Sequence, residues 1–189
     1  MEYTDKTALQ NYLLTNIDAS FDDQITEWIT AMSQYIDMVT ARTFVPPTED
    51  TEKLYDGNGT NCLLVDDFIN DKPVVIIDGG DAIDDADYSL YPANSLPKTK
   101  IVLRSNIFTK GLQNISIEAE FGYGEEVPAP IKWATTVLVA GIINASNQSE
   151  GEVQQETIGR YSVTYKTEKQ VNDFEEAKRI IELFRRPVF

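Results

Sequence analysis

The chain has 189 residues, 42% apolar and 25% charged, with a formal net charge of −15. It contains no histidine and one cysteine, which excludes an internal disulfide, a histidine-based triad and zinc sites built from several Cys or His ligands. The acidity disfavours gripping DNA through its phosphates, which needs clustered Lys and Arg; it agrees both with plain solubility and with a wall that DNA passes without sticking. No run approaches the roughly 18 apolar residues of a membrane span. The opening MEYTDKTALQ lacks the basic start and apolar core of a signal peptide, so synthesis and assembly in the cytoplasm are expected.

Residues 4–15 offer a short helix starting near Thr4 or Asp5, with Ala8, Leu9, Tyr12 and Leu13 on one side. After a turn at 16–19, SFDD at 20–23 resembles a capping box, in which the Ser20 hydroxyl accepts from the N3 amide and Asp23 reaches back. A long helix is predicted over 20–43. Phe21, Ile25, Trp28, Ile29, Met32, Tyr35, Ile36 and Val39 form its wide apolar stripe, and such a stripe reads as core. Pro46 and Pro47 stop it.

Over 44–127 short β-like runs alternate with Gly, Asn, Asp and Pro clusters, which predicts strands near 52–56, 62–65, 74–78, 88–91, 100–104 and 114–123. Asp56-Gly57-Asn58-Gly59 reads as a hairpin turn. This stretch holds 16 Asp and Glu against 6 Lys and Arg, and so carries most of the negative charge. Its densest part, Asp78, Asp81, Asp84, Asp85 and Asp87, could offer oxygen ligands to calcium, but lacks the spacing and final Glu of an EF-hand loop. A solvated acidic loop with no required metal is the expectation. The pairs Asp66-Asp67 and Glu125-Glu126 put neighbouring carboxylates on opposite faces of a strand, which is no acid/base dyad. Cys62 reads as a half-buried strand thiol, since no His is available to activate it.

The most informative stretch is 115–145. Ile115, Ile117, Ala119 and Phe121 alternate with Ser116, Glu118 and Glu120, a strand with one buried face. After Gly122, Gly124, Pro128 and Pro130, the period becomes helical, with Ile131, Ala134, Val137, Leu138, Gly141, Ile142 and Ala145 on one face. Residues 152–166 read as a hairpin or extended arm, with Val153, Ile158, Tyr161, Val163 and Tyr165 as its apolar positions. A final helix is predicted over 172–186, with Asn172 and Glu175 as a second capping box and Phe174, Ala177, Ile180, Ile181 and Phe184 as its stripe. Arg185 and Arg186 suit the negative end of its dipole, and Pro187 stops it.

The expected fold class is therefore α+β: a helical bundle from 1–43 and 128–189, with the arm at 152–166, and a mainly antiparallel β module over 44–127 inserted between the second and third helices. The expected bundle core is Ile25, Ile29, Met32, Ile36, Val137, Leu138, Ile142, Ile180, Ile181 and Phe184.

The ordered set of LYDGNGTNCLLVDDF (54–68), VVIIDGG (74–80), DYSLYPAN (87–94), IVLRS (101–105), GLQNISIEAEFGYGEEVPAPIKWA (111–134), IGRYSVTY (158–165) and RIIELFRR (179–186) resembles the head–tail connector, or adaptor, proteins of tailed bacteriophages. Each motif alone is weak; their order is specific. The resemblance implies a structural virion protein; with no histidine, one cysteine and no EF-hand match, no enzymatic activity and no cofactor are expected. It implies a homo-oligomeric ring, usually of twelve copies, in the virion neck. The ring docks beneath the portal protein, extends the DNA channel without specific binding, and carries the next neck or tail protein, a stopper or tail-completion protein. It also implies a portal contact through Arg185, Arg186, Pro187, Val188 and Phe189, with the arginines as bidentate donors and Phe189 as an anchor. Alternatively Phe189 simply covers the bundle. The arm is expected to reach a neighbouring subunit or the next neck protein by strand addition, the alternative being a hairpin folded back on its own chain. Other classes are a different virion structural protein, of head or tail completion; a carbohydrate- or calcium-binding β module using Tyr88, Tyr91 and Tyr123; and a hydrolase with paired carboxylates.

Overall fold

The computed structural model describes residues 2–146, 154–158, 160–165 and 168–186. The fold is α+β, with four helices, two three-stranded antiparallel sheets and a two-stranded hairpin, and the sheets lie between the second and third helices in the chain. The chain divides into two compact units, residues 1–43 with 127–189, and residues 44–126.

In the helical unit, α1 (Lys6–Leu13) starts at Asp5, whose carboxylate accepts the Ala8 amide at 2.8 Å. α2 (Asp22–Thr40) follows a single 3-10 turn at Ala19–Phe21. The capping box expected at Ser20 does not form. Asp18 accepts the Ser20 amide instead and caps the 3-10 turn, while Phe21, at the start of α2, is left half exposed and makes no cap hydrogen bond. The helix also ends three residues early, because Ala41 adopts a left-handed conformation (φ 52°) before the prolines are reached. Ile25, Ile29, Met32 and Ile36 are buried along α2.

α3 (Ala129–Ser146) has Pro130 in its first turn, where a missing N–H leaves no gap. One buried face was expected of it. In fact Ile131 and every residue from Ala134 to Ile143 are buried, because α1, α2 and α4 (Glu168–Leu183) surround it. It is the axis of this unit. Each fully buried Val, Leu or Ile contributes about 1.5–3 kcal/mol, so burial around α3 is a large part of this unit's stability. The buried hydroxyls of Thr135 and Thr136 donate to the carbonyls of Ile131 and Lys132, four residues back, and leave no orphan donor. α4 begins four residues before Asn172 and ends at Leu183, so the second capping box is absent and Arg185 and Arg186 lie beyond the helix. Phe174, Ala177 and Ile181 are buried, while Ile180 and Phe184 are half-buried.

The β unit contains β1 (Thr51–Gly57), β2 (Cys62–Phe68), β3 (Val74–Ile77), β4 (Tyr88–Tyr91), β5 (Lys98–Leu103) and β6 (Gly111–Ala119). One sheet has the order β1-β6-β3 and the other β2-β5-β4. The 56–59 turn is therefore not a hairpin: β1 and β2 belong to different sheets, and the turn carries the chain across. It is closed by Asn58, whose side chain accepts the Thr60 amide at 2.9 Å and donates to the Cys62 carbonyl at 2.8 Å. Gly57 is required there, since a Cβ would lie 1.8 Å from the Thr109 carbonyl oxygen. Leu63, Val65, Phe68, Ile101 and Leu103 of one sheet meet Val75, Ile115, Ile117 and Ala119 of the other in one core.

Candidate functional site

The acidic loop does not converge on a ligand position. Asp78, in a left-handed conformation, accepts from the Thr109 hydroxyl and from Asn114 Nδ2 at 2.8 Å, and these bonds hold its carboxyl below the usual range. Asp84 caps a 3-10 turn through the Ala86 amide. Asp85 accepts from Lys72 at 2.9 Å and from the Tyr88 hydroxyl at 2.9 Å, which also lowers its pKa. Burial, with Asp85 beside it, pushes the Tyr88 hydroxyl up. Among the described residues no three His, Cys, Asp or Glu side chains gather as a metal would require. No helix among them is long and apolar enough to cross a membrane. Cys62 is half-buried in β2.

The arm is a hairpin. β7 (Gln154–Ile158) pairs antiparallel with β8 (Tyr161–Tyr165), Gln154 opposite Tyr165 and Ile158 opposite Tyr161. β8 runs beside α3, with a smaller contact on α4. At the turn, Arg160 reaches Glu27 of α2 at 3.6 Å and the Tyr161 hydroxyl donates to the same carboxylate at 3.5 Å. The guanidinium lies over the Tyr161 ring. Arg160 and Glu27 are largely exposed, so solvent screens this latch and it is weak. Val163 and Ile158 sit at register positions within the hairpin; Val153 lies outside the described residues.

At the C-terminal end the Arg186 amide donates to the Thr40 carbonyl at 2.8 Å, closing the open end of α2. Arg185 pairs with Glu182 at 3.6 Å, Lys178 with Glu175 at 3.2 Å and Arg179 with Glu176 at 2.5 Å. The basic tail is thus partly neutralised by its own helix. Pro187, Val188 and Phe189 lie outside the described residues.

Two features escaped the sequence reading. One is a groove of about 530 Å³ at the start of α2, lined among others by Ile17, Phe21, Trp28 and Ile143. The other is the tip of the β unit, where Leu112 is 85% exposed. The sequence does hold a signal for the second: Leu112 is out of phase with the inward Ile115, Ile117 and Ala119.

The four helices and the two three-stranded sheets make an α+β fold in which, among the described residues, no metal-binding cluster forms. The sequence profile of the head completion protein family matches residues 3–187. The chain belongs to that family of structural virion proteins. It is similar in fold to a chain in the neck of an empty GTA particle computed with C6 symmetry, with a TM-score of 0.61 at 12% identity, covering 97% of this chain and 89% of that one. It is also similar to a chain in the virion of a native gene transfer agent (GTA) particle, with a TM-score of 0.53 at 13% identity, covering 93% and 84%. No curated protein sequence matches it.

Proposed function

We propose that the protein is a non-catalytic head–tail connector, a ring of identical subunits in the virion neck that docks on the portal, continues the DNA channel and carries the next neck or tail protein. The observation that carries this reading is the family match over residues 3–187, and the likeness in fold to a chain from a particle neck supports it. The ring is a dodecamer. Its portal contact is the segment 185–189. The Arg186 amide donates to the Thr40 carbonyl, so this segment begins beside the end of α2. The hairpin's edge strand, with Val153, Ile158, Tyr161, Val163 and Tyr165, serves the neighbouring subunit or the next neck protein. Its weak latch on Glu27 makes exchange of that contact cheap. The net charge of −15 suits a channel through which DNA slides under mild repulsion.

The test is electron microscopy of the purified protein mixed with its portal, alongside a variant that ends at Phe184 and so lacks the proposed contact. Twelve-fold rings stacked on the portal for the full chain, and free rings for the truncated one, are expected. Tight, salt-sensitive binding of duplex DNA by the ring would contradict the channel assignment.

A further inference from the structure

The groove and the exposed β tip have complementary chemistry. The groove is mainly apolar, formed by Ile17, Phe21, Ile25, Trp28 and Ile143, and Asp18 is the one charged residue in its lining. Its volume of about 530 Å³ falls in the range of specific binding pockets, about 300–1,000 Å³. The tip is the reverse. Ile107 is 53% and Leu112 85% exposed, and they alternate with the exposed cations Arg104 and Lys110, neither of which has an ion-pair partner among the described residues. The stretch 104–113 contains no acid, although the β unit around it is strongly acidic.

The tip is also tied to β1. Gln113 adopts a left-handed conformation (φ 50°), and its amide donates to Asp56 Oδ1 at 2.7 Å. The β1–β6 register breaks between Tyr55 and Gly57, opposite this point. Such a bulge re-aims a side chain, and strain at a non-glycine persists only where neighbours impose it. Here it carries Leu112 outwards.

The segment that follows Ser146 in the lining does not suit the groove: residues 147–153, NQSEGEV, bring one apolar residue and two acids.

We infer that the groove receives Ile107 and Leu112 from the β unit of a second copy, with Arg104 or Lys110 set beside Asp18. Two different surfaces meet in this contact, so it is heterologous, the kind that repeats from copy to copy and forms a ring when the rotation between copies closes. The inference rests on the ring reading above and names the subunit contact within it.

The experiment measures mass by sedimentation for the full chain, for Leu112→Asp, for Phe21→Glu and for their equimolar mixture. Both substitutions fall on exposed side chains, so the melting temperature should stay within a few degrees. Each variant alone should be monomeric under conditions where the unaltered protein forms rings. The mixture should yield a complex of two chains and nothing larger, because only one intact groove and one intact tip can meet. If both variants form normal rings, the contact lies elsewhere and the ring reading stands. Variants that form rings but no longer dock on the portal would assign the groove to the portal and overturn the inference. A full chain that stays monomeric, even with the portal present, defeats the ring reading and this contact with it.

Discussion

The backbone amide of Arg186 donates to the carbonyl of Thr40 at 2.8 Å, so the last described residue of the chain caps the long helix α2. α2 ends on a left-handed Ala41 with an open carbonyl end, and the C-terminal segment supplies a missing donor. This separates two parts of the tail. Removing residues 187–189 should leave the melting temperature unchanged while lowering portal affinity. Removing Arg186 as well should cost at least its amide's hydrogen bond to Thr40, about 0.5–1.5 kcal/mol, or a few degrees at about 2–4 °C per kcal/mol. Thermal melts of the two truncations, paired with portal binding, check this. Equal melting temperatures would mean that the Thr40 carbonyl is as well served by water.

α3 should be the least tolerant element. Leu138 is fully buried at its centre, and Leu138→Ala should cost about 2–5 kcal/mol, including the cavity left behind. Leu14 is 90% exposed after α1, and Leu14→Ala should cost under about 0.5 kcal/mol. Denaturant melts of both variants measure the contrast.

The difference between one predicted face and an all-round buried α3 shows where the sequence was silent. Periodicity found the helix, but Thr135, Thr136 and Ala140, outside the predicted stripe, are small and carry no strong polarity, so they did not mark a second packing face. The six strands were legible because Val, Ile, Leu and Tyr runs are separated by turn residues. Their pairing was not. DGNG specifies a reversal of the chain, not whether the next strand joins the same sheet. Both proposed capping boxes failed for one reason: the pattern of a Ser or Asn with an acid three residues on recurs without forming, and Asp18 competed with the first. At the candidate sites, the arm was legible as alternating Tyr161, Val163 and Tyr165. The groove was not, because Ile17, Phe21, Trp28 and Ile143 come from distant positions and each reads as core.

The helical unit should lose stability at alkaline pH through Tyr12. Its hydroxyl donates to Asp173 Oδ2 at 2.9 Å, tying α1 to α4, and burial followed by the Asp173 bond raises its pKa above the ordinary 10.0. The folded state thus keeps a proton that the unfolded chain releases above about pH 10. Stability from this pair is complete below that pH and declines as pH rises beyond it. In Tyr12→Phe the decline should be shallower, with a lower plateau at neutral pH by about 1 kcal/mol for the lost hydrogen bond. Urea midpoints from pH 7 to 11 give both quantities, and parallel curves for the two proteins would show that another group governs the alkaline limb.

Asn114 is the hub of the β tip. Its Oδ1 accepts the Gly57 amide at 2.9 Å, and its Nδ2 donates to Asp78 at 2.8 Å and to the Thr109 carbonyl at 2.9 Å. Only an amide can serve all three, since it alone offers both an acceptor and two donors. Asn114→Asp keeps the shape but turns donors into acceptors, facing a carboxylate that is already held ionised. It should therefore be worse than Asn114→Ala at neutral pH, and should recover as pH falls and the new acid takes up a proton. Asn114→Ala should cost about 1–3 kcal/mol, through the Gly57 amide and Thr109 carbonyl it leaves behind. Neither change touches the core residues Ile115 and Ile117, so hydrogen exchange should speed up at residues 56–60 and 107–114 and stay slow elsewhere in β6. Uniformly faster exchange throughout the β unit would mean that Asn114 supports the whole sandwich rather than its tip.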